Sequence, residues 1–378
     1  MKQFDYIIAG GGAAGLTLAY LLLAHENTKK TILIIDKDDK SVNDRTWCFW
    51  EKEVNLLENL VYKQWSRASF FGPSFKQTFV LPPYSYKMIR GKDFYDFMKL
   101  KLGKFNNLTW LKESIIEIDP QGIVKTSTET YSGNMVFNSI TGLKDFNIPP
   151  KHVQFLQHFK GQLIQTEKPC FDPEIMTYMD FRIDQKDDCR FGYVLPFSPN
   201  EALVEYTIFS EQLLQPEEYD KGLDYYLHNF LKIEDYKVLE DEFGVIPMTD
   251  FPFPEKDGHV IYIGISGGFA KPSTGYTFLR SQHILKKMAS NLAKQKDPLA
   301  DLPHHKKRFQ KYDSTLLNVL KNGEHSGAQI FSDLFEKNGA QAVFKFLDEE
   351  TNLAEEMKIM SSTPILAFGK AFIKTFGN

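Results

Sequence analysis

Cysteine is scarce in this chain of 378 residues, and its three copies, Cys48, Cys170 and Cys189, lie far apart without metal-ligand spacing. Neither a disulfide framework nor a zinc site is suggested, no metal is expected, and the compartment reads as reducing. Positive charge is not in surplus either. The formal net charge is -4 and no long basic block occurs, which argues against nucleic acid as the main partner. No uncharged stretch reaches the roughly 20 residues needed to cross a bilayer, and the apolar run near the start lacks the basic leader of a signal peptide. The excess is aromatic: Phe 32, Tyr 17 and Trp 4 make up 14% of the chain. Rings on this scale fill cores, and they equally suit a large apolar ligand or a cationic intermediate. The rest of the composition is ordinary for a globular protein of about two domains.

The chain is organised around residues 4–24, FDYIIAGGGAAGLTLAYLLLA. Tyr6 to Ala9 reads as a buried parallel strand, and Leu16 to Ala24 as a helix that is apolar all round. Between them Gly10, Gly12 and Gly15, with Ala14 among them, make a G-x-G-x-x-G turn. Such a turn brings backbone N–H groups and the positive end of a helix up to a pyrophosphate. ILIID, 32–36, is a second parallel strand ending in Asp36, 21 residues beyond Gly15, where the ribose-binding carboxylate of such a unit belongs. Strand, turn, helix, strand and acid agree, so an ADP-containing cofactor is expected. The alternative is an ordinary βαβ crossover whose glycines serve packing alone.

Beyond Asp36 a polar loop carries Arg45, which either meets a cofactor phosphate or is solvated. Residues 67–90 alternate aromatic and polar and read as strands crossing near the cofactor. GKDFYDFMKLKL, 91–102, has helical spacing, with Phe94, Phe97, Met98 and Leu100 available for one face. Arg90 precedes that helix where flavoproteins of the hydroxylase type often send an arginine to the dinucleotide, a capping or surface role being the alternative. Short strands through 108–138 close a first cofactor-binding segment, 1–145. From 146 to 254, proline-punctuated aromatic strands with one helix predict an antiparallel sheet, which either forms a substrate domain or is purely structural. Residues 255–300 return to strand, glycine turn and helix. There Gly267, Gly268 and Gly275 either belong to a loop brought back over a flavin or are simple turn glycines. The last segment, 301–378, reads as helical. Its final helix sets Ile365, Phe368, Phe372 and Phe376 on one side and Lys370 and Lys374 on another, and it either packs on the protein or lies in a membrane interface.

GGGAAG (10–15), RTWCFW (45–50), MDFR (179–182), YVLPFS (193–198), VEYT (204–207), GVIPM (244–248) and GGFAKPSTGYTF (267–278) follow one another as in bacterial lycopene β-cyclases of the flavin-dependent type, which the chain resembles over nearly its whole length. The resemblance implies an α/β fold: a Rossmann-type, hydroxylase-like FAD-binding domain with an inserted antiparallel β-sheet substrate domain and a helical C-terminal region. It implies an isomerase-class reaction of carotenoid biosynthesis without net redox change, in which the ψ-ends of lycopene close into β-ionone rings through γ-carotene to β-carotene. The cofactor would be FAD, active when reduced, with NADPH or NADH as electron donor. The acid–base residue would be Glu205, with Asp180 and Arg182 shaping the pocket or positioning that acid. Because the substrate resides in membrane, a peripheral, monotopic attachment at the cytoplasmic side of the inner membrane is expected.

The chemistry explains the choice of residue. Protonating a terminal alkene, a very weak base, requires a donor kept neutral in a dry pocket, and burial among the apolar residues of YVLPFS and VEYTIF raises a carboxylic acid's pKa. Two departures from the family pattern stand out. Tyr206 occupies the place where many relatives carry a second acid directly after the glutamate, and FNSITG, 137–142, lacks the small-acidic-basic pattern of a second flavin strand. Competing readings are an FAD-dependent monooxygenase or isoprenoid reductase of the same architecture, and a non-catalytic prenyl- or lipid-binding protein.

Overall fold

The computed structural model describes residues 1–24, 29–142, 145–303 and 305–374. The chain divides into two compact units. The first comprises Met1–Trp47, Ile89–Pro149 and Phe251–His304, and the second Cys48–Met88, Pro150–Asp250 and His305–Asn378.

The first unit is built from β1 (Lys2–Ala9), α1 (Ala13–Ala24), β2 (Ile32–Asp36), α2 (Gly91–Leu102), β8 (Leu108–Lys112), β9 (Ile115–Asp119), β10 (Ile123–Thr126), β11 (Thr130–Asn138), β17 (Lys256–Asp257), β18 (Val260–Tyr262) and α4 (Phe278–Ala293). Strands β18, β11, β1, β2 and β8 lie side by side in that order, all parallel. Ile7, Ile8, Ala9 and Ile32 to Ile35 have no exposed surface, the unbroken apolar run expected of strands covered on both faces. The strand β1 pairs with β2 on one side and β11 on the other. The order therefore reverses there, and the crevice at the carboxyl end of β1 is where such sheets bind ligands. Helix α2 spans the residues its spacing predicts. Phe94 and Met98 are buried, whereas Leu100 is 68% exposed, since at about 100° per residue it falls away from their side.

The second unit holds most of β3 (Thr46–Glu51) and of β7 (Ser85–Arg90), with β4 (Val61–Trp65), β5 (Arg67–Phe71), β6 (Lys76–Val80), β12 (Gln154–Gln165), β13 (Ile175–Asp180), β14 (Cys189–Ser198), β15 (Glu201–Ser210), α3 (Pro216–Tyr226), β16 (Lys237–Thr249), α5 (Lys307–Asn322), α6 (Gly327–Leu347), α7 (Leu353–Ser361) and α8 (Ile365–Lys374). Seven strands form one sheet in the order β16-β12-β15-β14-β13-β5-β6, and β3, β7 and β4 a smaller one. The pairings of the large sheet are antiparallel except β13 with β5. Helix α3 covers one face, packing Tyr219, Leu223 and Tyr226 on Val194, Val204, Tyr206 and Ile208. On the other face α6 stacks Phe331 on Phe181 and sets it edge-on to Phe209.

Two expected boundaries move. Residues 48–88, expected within the first cofactor-binding segment, belong to the second unit, because β5 pairs in parallel with β13 from Arg67↔Ile175 to Phe71↔Asp180. The C-terminal helices, expected as a region apart, belong to that unit as well. Phe335 of α6 stacks on Phe70 of β5 at 4.8 Å. In α8, Ala367 and Ala371 are buried while Ile365 is exposed; Phe368 packs beside Ala371. Phe376 and the Lys374 side chain lie outside the described residues. No helix among the described residues is long and apolar enough to cross a membrane.

Candidate active site

The glycine turn in the first unit shows why its residues are what they are. Gly10 has φ +104°, and a Cβ there would fall 2.3 Å from Ser139 Oγ; one on Gly15 would fall 2.0 Å from the Gly10 carbonyl. Gly12 is different, since a Cβ built on it meets nothing within 4 Å. Its open side adjoins the first turn of α1, which carries no acidic residue and whose leading N–H groups have no intrahelical acceptor. Asp36 accepts the Gly11 N–H at 2.6 Å and the Asp38 N–H at 2.7 Å, with the Lys40 ammonium at 3.3 Å. The carboxylate thus fastens the turn and keeps acceptor capacity for a sugar hydroxyl. This donor set fits the diphosphate and ribose of an ADP-containing dinucleotide.

The other expected cofactor residues are placed as follows. The Arg45 carbonyl accepts the Gly91 N–H at 2.9 Å, which brings the backbone of Arg45 beside Arg90, the residue preceding α2. The Arg45 side chain ion-pairs with Asp44 at 3.1 Å. Gly268 and Gly275 have positive φ, and Gly267 is held close to the Tyr262 carbonyl. Gly264, unremarked in the sequence, is the late glycine that approaches α1: its Cβ would stand 3.0 Å from that of Ala14. Ser139 was also unassigned. Its hydroxyl donates to the Ala9 carbonyl at 2.9 Å, and the Ser266 hydroxyl donates to the Thr141 carbonyl at 2.6 Å, so FNSITG is tied to both glycine turns.

In the second unit Glu205 is buried at the middle of β15. The strand register pairs Gly161 with both Glu205 and Glu242, and Glu205 with Tyr193. Directly paired residues share a face, so Glu242, Gly161, Glu205 and Tyr193 form one row across the sheet. Burial, reinforced by the Glu242 carboxylate, pushes Glu205 well above the usual glutamate range, and the Thr207 hydroxyl pulls weakly the other way. The Tyr193 and Tyr86 hydroxyls are 2.7 Å apart. Desolvation raises the Cys48 thiol, which both tyrosines face, and keeps Tyr86 neutral. The arrangement is that of a buried glutamic acid with a raised pKa, between an aromatic side and a carboxylate side.

Asp180 and Arg182 are not brought to this row. Asp180 pairs with Gly192, which pairs with Tyr206, and that row faces α3. A register shift between Thr177 and Asp180 turns Asp180 to this side, as one extra residue in a strand must. Asp180 accepts Arg182 Nε at 2.8 Å and the Tyr226 hydroxyl at 2.9 Å. The guanidinium lies 4.1 Å over the Phe71 ring. The pair joins β13 to α3. A further polar group, His305, Asp313 and Glu349, has ligand atoms within 4.8 Å of one another; there Glu349 already takes His305 Nδ1 and the Lys306 N–H.

A sequence model of the family described as lycopene cyclase protein matches residues 5–372. Curated relatives include a chloroplastic neoxanthin synthase of Solanum tuberosum, 27% identical over 319 residues, covering 77% of this chain and 61% of that protein. A lycopene beta-cyclase of Pantoea ananas is 23% identical over 289 residues, covering 73% and 71%. The chain thus spans about three-fifths of the length of the plant relatives it matches. Among solved structures, a geranylgeranyl bacteriochlorophyll reductase-like protein of Thermoplasma acidophilum superposes with a TM-score of 0.69 at 14% identity, covering 99% and 100%. A flavoprotein/dehydrogenase of Cytophaga hutchinsonii does so at 0.65 and 12%, covering 100% of both. The fold is the Rossmann-type flavoprotein fold.

Proposed function

The chain belongs to the lycopene cyclase family, and from that premise we propose that it is a lycopene β-cyclase, closing the ψ-ends of lycopene into β-ionone rings with FAD bound at the first unit. The observation that carries this reading is the buried, raised Glu205 in the row it shares with Tyr193 and Glu242. A carboxyl group whose pKa is raised by burial keeps its proton to higher pH and so can donate it to an alkene, which an ordinary glutamate cannot do. As its O–H bond breaks, a C–H bond forms at the terminal alkene and leaves a tertiary cation, which the neighbouring double bond attacks. Loss of a proton from the ring cation to the Glu205 carboxylate restores the acid, and no electrons change hands. Nearby aromatic faces stabilise a desolvated cation by about 0.5–2 kcal/mol each. When bound, reduced flavin would supply an electron-rich, negatively charged ring, with NADPH or NADH as its electron donor. Gly10, Gly12, Ala14, Gly15, Asp36 and the Gly264 turn would hold its dinucleotide, and Arg45 and Arg90 would meet its phosphates.

The test is expression in cells that accumulate lycopene, beside Glu205→Gln, with pigments identified by chromatography and mass. We expect γ- and β-carotene of unchanged mass from the parent, and loss of at least a hundredfold in the variant with flavin retained. Products differing by oxygen or hydrogen would move the assignment to a monooxygenase or isoprenoid reductase.

A further inference from the structure

The glutamate proposed as proton donor has a second carboxylate beside it that comes from a distant part of the chain. Tyr206, the residue next to Glu205, cannot take that place. Its hydroxyl accepts from Arg190 at 3.0 Å, and its ring is packed among the residues under α3, on the opposite face. Glu242 lies on the same face as Glu205, one strand beyond β12. It is buried although its neighbours Asp241 and Phe243 are exposed.

Between the two strands stands Gly161. A Cβ built on it would lie 3.0 Å from Glu205 Cγ and 3.3 Å from Leu203 Cδ1. The Glu205 side chain therefore leans over β12, through space that any other residue would fill, towards the strand that carries Glu242. We propose that Glu205 and Glu242 are a carboxylic acid–carboxylate pair that holds one proton between them across the Gly161 notch, with Glu242 as the positioning partner that keeps Glu205 protonated. This rests on reading Glu205 as the donor. When Glu205 gives its proton to the alkene, both groups are ionised at once in a buried place, a state that their repulsion disfavours. The return of the proton from the ring cation relieves that repulsion. The pair therefore favours completing the cycle, with one proton out, one proton back and no co-reactant.

The other groups facing Glu205 do not substitute for this partner. They are the Thr207 hydroxyl on β15, the Tyr193 phenol on β14, the Cys48 thiol on β3 and, behind them, the Tyr86 phenol on β7. On β16, Glu240 shares the face with Glu242 and stands opposite Leu163. From α6 come the rings of Phe331, Phe335 and Phe344, which pack this face through Phe209 and Tyr178.

The experiment is difference infrared titration of the purified chain, following the carbonyl stretch of a protonated carboxyl. It is made on the parent, Glu205→Gln, Glu242→Gln, Glu242→Asp and Gly161→Ala, with the pH profile of cyclisation alongside. The parent should show a band at neutral pH that Glu205→Gln removes. In Glu242→Gln its midpoint should fall by roughly one pH unit or more, the threshold at which two sites count as coupled, and the alkaline limb of the rate profile should fall with it. Glu242→Asp should restore part of the shift, and Gly161→Ala should reproduce the loss with both carboxylates still present. An unchanged midpoint in Glu242→Gln, or no such band in the parent, overturns the pair even if Glu205→Gln abolishes cyclisation. Conversely, a coupled titration in a chain that makes no cyclic product leaves the pair standing and removes the cyclase reading.

Discussion

Glu205 carries a cost of burial that a surface glutamate does not, and this gives the residue a signature in stability as well as in activity. Its folded pKa is raised by desolvation and by Glu242, so the folded protein binds a proton that the unfolded chain releases in its ordinary range. The stabilisation is full below the usual glutamate pKa and is lost as pH rises towards and through the folded value. Over that interval the difference accumulates at about 1.4 kcal/mol per pH unit. Glutamine has no charged form, so Glu205→Gln should match the parent near pH 4 and become progressively more stable than it at higher pH. Urea unfolding of both proteins across a pH series measures this. Parallel curves would mean that Glu205 ionises in the folded state like any exposed carboxylate. His158 follows the opposite slope. Burial and Arg190 lower it to about 4, so its contribution is present at neutral pH and is lost as pH falls from about 6.5 to 4, a loss of about 3 kcal/mol.

At the scale of elements, the βαβ unit was legible because every part of its signal is local. The glycine turn, the helix after it and the acid at the end of β2 lie within 36 residues, and each has one stereochemical reason to be there. The helix α2 was readable for the same cause. Glu242 was not, because it sits in a run of acids, Glu240, Asp241 and Glu242. Period-two alternation cannot tell which member of such a run faces inward until the pairing of β12 with β16 is known. The register shift that turns Asp180 away from Glu205 was hidden likewise, and so was the capture of β5 by β13, since a strand's pattern does not name its sheet. The local signal can be tested directly. A methyl group at Gly15 would lie 2.0 Å from the Gly10 carbonyl and 2.9 Å from Ile8 Cγ2, both at the join of α1 and β1. Overpacking of this kind costs about 1–3 kcal/mol, so Gly15→Ala should weaken flavin binding of the order of tenfold or more. Flavin absorbance per chain after dialysis, and FAD fluorescence titration, read the effect. Undiminished occupancy would show that the turn serves packing alone.

For the whole molecule the proposed function raises the question of how a chain with no membrane-spanning helix among its described residues would meet a substrate dissolved in lipid. Helix α8 offers a physical answer. Its small residues, Ala367 and Ala371, face inward, the latter beside Val319 of α5 and Ile330 of α6. Ile365, Leu366 and Ile373 are 66%, 83% and 73% exposed. Helix α8 turns Ala367, Phe368 and Ala371 inward and leaves large aliphatics outward, with the exposed Lys370 between Leu366 and Ile373 on that outer side; an apolar outer face of this kind suits shallow burial at the boundary of headgroups and acyl chains, the Lys370 ammonium reaching up to the headgroups. Each fully buried aliphatic side chain contributes about 1.5–3 kcal/mol, so three of them can hold the protein reversibly at a bilayer surface. The parent should float with phosphatidylglycerol-containing vesicles in a density gradient, and Leu366→Asp combined with Ile373→Asp should leave it in the bottom fraction. Because neither residue touches the Glu205 row, the variant should still cyclise lycopene presented in detergent micelles while failing on lycopene in vesicles. Equal flotation of both proteins, or a parent that stays at the bottom, would locate delivery of the substrate elsewhere.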